Sequence, residues 1–191
     1  MEDQKQPSMN NYLPIILEVR VVGFSLHQNK LQVLLQPAVE KQVWSLPGQT
    51  VTGDLALETA AARCVEELTG LKEIYLEQLY SYGDPNRQSD CRVVSVVYFA
   101  LLPAGGVVCV DETRASWLPV DPIPFMVWDH TEILTYALRR LRYKLEYSAV
   151  GFELLPDAFT LSELQHTYEL ILGEQLDKRN FRRRILEAGI I

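Results

Sequence analysis

The sequence predicts an α+β domain followed by a small helical domain. Over the first 120 residues, apolar and β-branched runs flank one Ala- and Glu-rich segment, which is typical of strands arranged around a helix. After Pro124 the apolar residues recur at helical spacing instead. A chain of 191 residues is long enough for one large domain or for a medium domain with a small partner.

The first strands are predicted by apolar runs separated by polar turns. Residues 14–26 and 31–35 are apolar, and the polar stretch 27–30 between them favours a hairpin. A short apolar piece, 44–46, ends at Pro47-Gly48, and we expect residues 49–55 to form a loop. Further strands are predicted over 71–82, 92–102 and 107–110.

Four helices are predicted, two of them with clear end signals. Residues 56–68 lack Gly and Pro, and Gly70 fits a helix C-cap. Residues 131–146 form an amphipathic pattern. Thr160 and Glu163 have the spacing of a capping box, which opens a helix ended by Gly173. The last helix is predicted over 177–188, with Phe181, Ile185 and Leu186 facing the core.

Composition restricts the class of protein. The chain has 18 basic and 25 acidic residues, so its net charge of −7 excludes a protein that coats nucleic acid or an anionic membrane through its overall field. Three cysteines without a CxxC pair favour reduced cytosolic thiols. The apolar stretch 93–110 is interrupted by Pro103 and Gly105-Gly106, so it does not predict a membrane span. We therefore expect a cytoplasmic protein without a membrane partner.

The segment 46–71, LPGQTVTGDLALETAAARCVEELTGL, resembles the Nudix box. Aligned on Gly70-Leu71 without a gap, the resemblance places Arg63 on the motif arginine and Gln49 on its first glycine. It implies a Nudix α/β/α sandwich with a mixed sheet. The alternative for residues 56–68 alone is an amphipathic helix with surface glutamates.

Most of the metal chemistry of that motif is absent. The three glutamates that bind Mg²⁺ or Mn²⁺ in active Nudix enzymes fall on Cys64, Glu67 and Leu68. Mg²⁺ requires several hard oxygen ligands, and Glu66 points about 100° away from Glu67 on a helix, so it does not replace Leu68. The residual Nudix positions are Arg63, Glu66 and Glu67. We expect no required cofactor, with Mg²⁺ on Glu67 only if hydrolase activity is retained.

The segments SYGDPNRQSDCRVVSVVYFALLP and WLPVDPIPFMVWDHTEILTYALRRLRYKLEYS resemble NrtR-type Nudix-related transcriptional regulators. The resemblance implies a domain that binds ADP-ribose or a related nucleotide, in a homodimer that regulates NAD metabolism. It places Arg87 in the family's arginine loop and Asp129-His130 before the linker helix. A solvated loop charge and a plain helix-start residue are the alternatives for Arg87 and His130. The ligand-binding residues expected here are Gln49, Arg63, Glu67, Arg87, Asp129 and His130.

The C-terminal segment resembles the winged-helix domain of the same family. A capped helix, a short turn and a basic helix form a helix-turn-helix, and the second helix carries five basic residues within seven positions. Asparagine pairs with adenine edges, and arginine pairs with guanine or phosphate. The expected contacts to double-stranded operator DNA are Lys178, Arg179, Asn180, Arg182, Arg183 and Arg184. A solvated basic face is the alternative.

These predictions divide the chain into a mobile tail at 1–12, a Nudix-like domain at 13–148 and a winged helix at 149–191. The wing of the last domain is expected to be missing. Together the domains predict a ligand-responsive transcriptional regulator. The second hypothesis is a Nudix hydrolase of the ADP-ribose pyrophosphatase type, in which Glu67 and Glu66 hold one Mg²⁺ that polarises the phosphate. A fold used only for protein contacts is the third.

Overall fold

A computed structural model describes residues 14–40, 42–88, 91–104, 113–147 and 149–187. The predicted tail and the predicted strand 107–110 lie outside the described residues. The elements, in chain order, are β1 (Ile15–His27), β2 (Lys30–Pro37), β3 (Trp44–Ser45), β4 (Gly48–Thr50), α1 (Leu57–Thr69), β5 (Tyr75–Tyr82), β6 (Arg92–Leu101), β7 (Ser116–Pro119), α2 (His130–Tyr147), a 3₁₀ helix (Ala149–Leu154), α3 (Leu161–Leu172) and α4 (Lys178–Glu187).

The strands form one mixed sheet in the order β3-β2-β1-β6-β5, with β4 added to β1 and β7 added to β2. β1 and β6 are parallel, and the other pairs are antiparallel. The predicted hairpin is confirmed: Gln28 and Asn29 have φ of 50° and 56°, as a two-residue type I′ turn requires. β1 is long enough to pair with β4 near its start and with β2 near its end.

Helices cover both faces of the sheet, because the side chains of β1 alternate between two apolar clusters. Val19 and Val21 pack with α1 on one face. Val22 and Phe24 belong to the larger cluster on the other face, which contains α2 and the C-terminal helices. This arrangement confirms the predicted sandwich with a mixed sheet.

The helix-turn-helix shares its core with α2 and the sheet. Leu164, Tyr168 and Ile171 of α3 are buried in the same cluster as Leu141 and Leu145 of α2. The helices are also joined by a hydrogen bond of 2.9 Å from the Arg142 guanidinium to the carbonyl oxygen of Ile171. The C-terminal module is therefore held directly by the second half of α2.

The end signals of the helices were predicted correctly, whereas the short strands were not. Gly70 and Gly173 are left-handed C-caps, and Thr160 and Glu163 form the complete capping box. The prediction of a loop over 49–55 is wrong for residues 49 and 50, which belong to β4 and pair with β1. The strand expected from residue 71 begins at Tyr75.

β7 was not predicted, and the expected core position of Leu186 is wrong, since this side chain is exposed. Phe181 and Ile185 are buried as predicted. Among the described helices, none combines the length and the apolar composition needed to cross a bilayer.

Gly151 allows the 3₁₀ helix to approach α3, and its replacement tests this contact. A Cβ at this position would lie 2.7 Å from Tyr168 Cε2 and 3.0 Å from Leu145 Cδ2. We expect Gly151→Ala to lower the free energy of unfolding by roughly 1–3 kcal/mol through overpacking, measured by urea denaturation. Gly83→Ala is the control, because its Cβ would meet Val94 at an ordinary 3.7 Å. Equal stability of the two variants would contradict the packing described here.

Candidate functional site

Charged side chains are buried where β1 meets the start of α2. Glu18 and Arg20 lie two residues apart on β1 and therefore share a face. The Arg20 guanidinium donates twice to Glu18, with Nε–Oε1 at 2.9 Å and an Nη–Oε2 bond at 2.7 Å. Glu18 is 6% exposed. Burial opposes ionisation of Glu18, but hydrogen bonds and positive charge from Arg20, with help from Ser95 and Arg87, lower its pKa overall.

A second ion pair continues this network. The Arg87 guanidinium donates to both carboxylate oxygens of Asp129, each at 2.8 Å, and donates a third bond to the Ser95 hydroxyl. Ser95 in turn donates to Glu18, so the two ion pairs are linked. The Arg87 side chain is only 2% exposed. Asp129 and Ser95 therefore occupy a guanidinium that has almost no contact with solvent.

The network also fixes the loop before β4. Arg20 donates to the carbonyl oxygen of Leu46 at 3.0 Å, and the Leu46 N–H donates to Nδ1 of His130 at 3.0 Å. Because Nδ1 accepts this bond, the proton of the neutral imidazole lies on Nε2. Gly48 is needed here, since a Cβ would lie 2.5 Å from both the Val19 carbonyl oxygen and Arg20 Cδ.

His130 is fully buried and uncharged in the folded protein. Burial, followed by the positive charge of Arg20, lowers its pKa to about 3. Its Nε2 has no hydrogen-bond partner among the described residues. The ring makes a perpendicular contact with Trp128, with centroids 5.4 Å apart.

Two of the three Nudix metal-ligand positions, Cys64 and Leu68, lie on the buried side of α1, whereas Glu67 is exposed. Cys64 is 6% exposed and Leu68 is 4% exposed, and both contribute to apolar clusters. Burial raises the pKa of the Cys64 thiol to about 12. Mg²⁺ prefers oxygen ligands, so a sulfur atom at this position does not replace the carboxylate of the motif. In the described part of the chain, no three His, Cys, Asp or Glu side chains are grouped to hold a metal. These residues do not fit the magnesium site of a Nudix enzyme.

The structure separates the predicted ligand residues into two groups. Arg87, Asp129 and His130 lie together at the start of α2. Gln49 lies on the α1 side, where its amide donates to the Ala60 carbonyl oxygen at 2.8 Å. Arg63 and Glu67 lie on α1 itself and are exposed. Glu66, the third residual Nudix position, is half-buried on the same helix, with its carboxylate 3.8 Å from the Lys72 ammonium. A cleft of about 720 Å³ between the β5 region and the 3₁₀ helix is lined by none of these residues.

The predicted DNA contacts lie on α4, and five of the six are exposed. These exposed residues are Lys178, Arg179, Asn180, Arg183 and Arg184. Arg182 is half-buried and points back to α3, where it donates to the Ser162 hydroxyl at 3.5 Å. Asp177 directly precedes the helix, and its carboxylate accepts from the Asn180 N–H at 2.8 Å. The side chains that can reach a DNA groove are therefore held on one short, capped helix.

Sequence reasoning missed Glu18, Ser95 and Trp128 as parts of the site. The signal for Glu18 is a charge within an apolar strand, two residues from the opposite charge of Arg20. Such a pair in a buried strand indicates a buried ion pair. Ser95 has no comparable signal, because one serine in an apolar strand does not show which side chain it contacts.

The fold and the site define a Nudix domain that is joined through α2 to a helix-turn-helix and retains only one of the three metal-binding glutamates of the enzymes. Comparison with known proteins agrees. A family model described as the NUDIX domain matches residues 17–140, and one described as the NrtR DNA-binding winged helix domain matches residues 151–191. The chain belongs to the NrtR family of Nudix-related, ligand-responsive DNA-binding regulators.

Individual relatives support the assignment. The chain is 35% identical over 195 residues to the ADPR responsive transcriptional repressor NtrR of Acinetobacter baylyi, covering 97% of this chain and 78% of that protein. The crystal structure of Shewanella oneidensis NrtR has a TM-score of 0.82 at 31% identity, covering 91% of this chain and 84% of that one. The NUDIX domain of the same protein, in complex with ADP ribose, has a TM-score of 0.58 at 26% identity, covering 72% of this chain and 94% of that one.

The depressed pKa of His130 predicts a loss of stability at mildly acidic pH. Unfolding frees an imidazole that takes up a proton below about pH 6.5, whereas the folded state stays neutral down to about pH 3. Stability is therefore full above pH 6.5 and falls as the pH decreases toward 3. Between pH 7.5 and 5.0 we expect this group to cost roughly 2 kcal/mol of the free energy of unfolding.

Urea denaturation at the two pH values measures this loss. His130→Asn retains an acceptor for the Leu46 N–H but has no titrating ring, so its stability should change less between pH 7.5 and 5.0. His166 is half-exposed on α3, and His166→Asn should keep the wild-type pH dependence. The same pH dependence in His130→Asn and wild type would show that His130 is not responsible.

Proposed function

We propose that this protein senses ADP-ribose and controls transcription by binding double-stranded operator DNA as a cytoplasmic homodimer, with genes of NAD metabolism as its targets. One observation carries the proposal: α2 begins at the buried network and its second half packs in the core of the helix-turn-helix. A ligand that changes the network therefore acts on the element that holds the DNA-binding module.

The diphosphate of the ligand competes with Asp129 for Arg87. A guanidinium donates to phosphate in the same bidentate geometry that it uses with a carboxylate. The start of a helix also attracts an anion through its free N–H groups. Once phosphate replaces the carboxylate, Asp129 no longer fixes the first turn of α2. This contact differs between the free and bound states, and such a difference is what a ligand needs to shift an equilibrium.

DNA is bound by the exposed side of α4. We expect Asn180, whose amide oxygen accepts from Arg183 at 2.9 Å, to pair with an adenine edge, and the exposed arginines to pair with guanine or phosphate. Arg182 is directed toward α3 and positions the helix rather than reading DNA. Because the chain carries a net charge of −7, its DNA affinity comes from this helix and from pairing two copies, not from its overall field.

Fluorescence anisotropy with the DNA upstream of the protein's own gene tests this function. We expect a sequence-specific, salt-sensitive complex that ADP-ribose weakens; the Acinetobacter relative is described as an ADPR responsive repressor. Arg179→Ala should weaken the complex and reduce the salt slope by about one. Lys30→Ala removes an exposed charge that lies outside α4, at the start of β2, and should change neither. If no specific complex forms, or if ADP-ribose leaves it unchanged, the proposal fails.

The buried Cys64 and Leu68 predict that the protein binds ADP-ribose without cleaving it. With Mg²⁺ or Mn²⁺ present, we expect no release of AMP above a protein-free control, measured by chromatography of the nucleotide products. Glu67→Gln should show the same absence of AMP release as wild type, since Glu67 alone does not supply the ligands that Mg²⁺ needs. AMP release that disappears in Glu67→Gln would establish the hydrolase instead.

A further inference from the structure

Trp128 is a large aromatic residue held in an unusual backbone conformation beside the network. Its φ is 49°, in the left-handed region that bulky side chains rarely adopt, and 54% of the residue is exposed. Hydrogen bonds on both sides of it maintain this conformation: the Val127 N–H donates to the Trp44 carbonyl oxygen at 2.9 Å, and the His130 N–H donates to the Val127 carbonyl oxygen at 3.1 Å. The strained backbone thus places an indole ring at the surface.

The indole ring is anchored to the site on its protein side. His130 contacts it perpendicularly, and the Arg20 guanidinium lies 6.0 Å from the ring centroid. Arg20 is in turn bound to Glu18, and through Ser95 this pair is linked to Arg87. The exposed part of the ring is therefore an aromatic surface at a fixed position beside Arg20, which hydrogen bonds connect to Arg87.

We propose that Trp128 is the stacking platform for the nucleobase of the ligand, a purine nucleoside diphosphate whose phosphates engage the arginine network. The inference rests on the proposed function and adds the residue that recognises the base. An indole offers a large rigid surface, and stacking of a base on an aromatic ring contributes substantial affinity. Phosphate contacts by themselves do not distinguish a nucleotide from a sugar phosphate. Trp128 supplies that selectivity.

Isothermal titration calorimetry with two ligands tests the assignment. Wild type and Trp128→Ala are titrated with ADP-ribose and with ribose 5-phosphate, which carries a phosphate but no base. We expect Trp128→Ala to weaken ADP-ribose binding roughly tenfold and to leave binding of ribose 5-phosphate unchanged. Trp128→Phe keeps an aromatic face and should restore most of the lost affinity. Phe125→Ala, which removes a 74% exposed aromatic residue from the same loop, should match wild type.

Each other outcome overturns a different statement. If wild type binds ADP-ribose and Trp128→Ala binds it equally well, the stacking role is wrong while the proposed function stands. Equal weakening of both ligands would show that Trp128 only supports the network. Dissociation of a wild-type dimer into monomers by Trp128→Ala, measured by analytical ultracentrifugation, would assign the ring to contact with a second copy. If wild type does not bind ADP-ribose, the proposed function fails and this inference fails with it.

Discussion

The pairing of buried charges at the junction of β1, β6 and α2 is the constraint on which the rest of this structure depends. Removing an ion from water costs several kcal/mol unless a partner and further hydrogen bonds compensate. Glu18 is compensated by Arg20 and Ser95, and Arg87 is compensated by Asp129 and Ser95. Each of these buried groups needs hydrogen bonds from the others. The network therefore forms only when four parts of the chain are in place together: β1, β6, the loop that carries Arg87 and the start of α2.

This buried charge network lies at one end of the long helix α2. α2 has 18 residues, which corresponds to about 27 Å at 1.5 Å per residue. Its first turn is fixed by Asp129 and His130, while Leu141, Arg142 and Leu145 contact the helix-turn-helix near its other end. Packed cores shift between discrete arrangements rather than deforming gradually. Under the proposed function, we therefore expect a change at the first turn to reach the DNA-binding module as a movement of the whole helix.

The features that could be predicted from the sequence are those that depend on residues close to one another along the chain. The caps at Gly70 and Thr160 were identified because their partners lie within a few residues. β4 and β7 were missed because strands of three and four residues carry almost no periodic signal and depend on distant partners. The site shows the same division. Arg87 and Asp129 were selected separately by family resemblance, but their contact across 42 positions of sequence depends on the tertiary fold.

The retention of the Nudix frame without its ligands has a physical explanation. Gly70 must adopt φ of 76° to end α1, so the turn of the motif is required by the fold. The metal ligands are not required by the fold, and carboxylates facing the sheet would have to be solvated or bound to a cation. An apolar side chain at Leu68 instead gains free energy from burial. Under the proposed function, the apolar replacement also matters for sensing, because a regulator reports the concentration of a ligand only if it does not cleave that ligand.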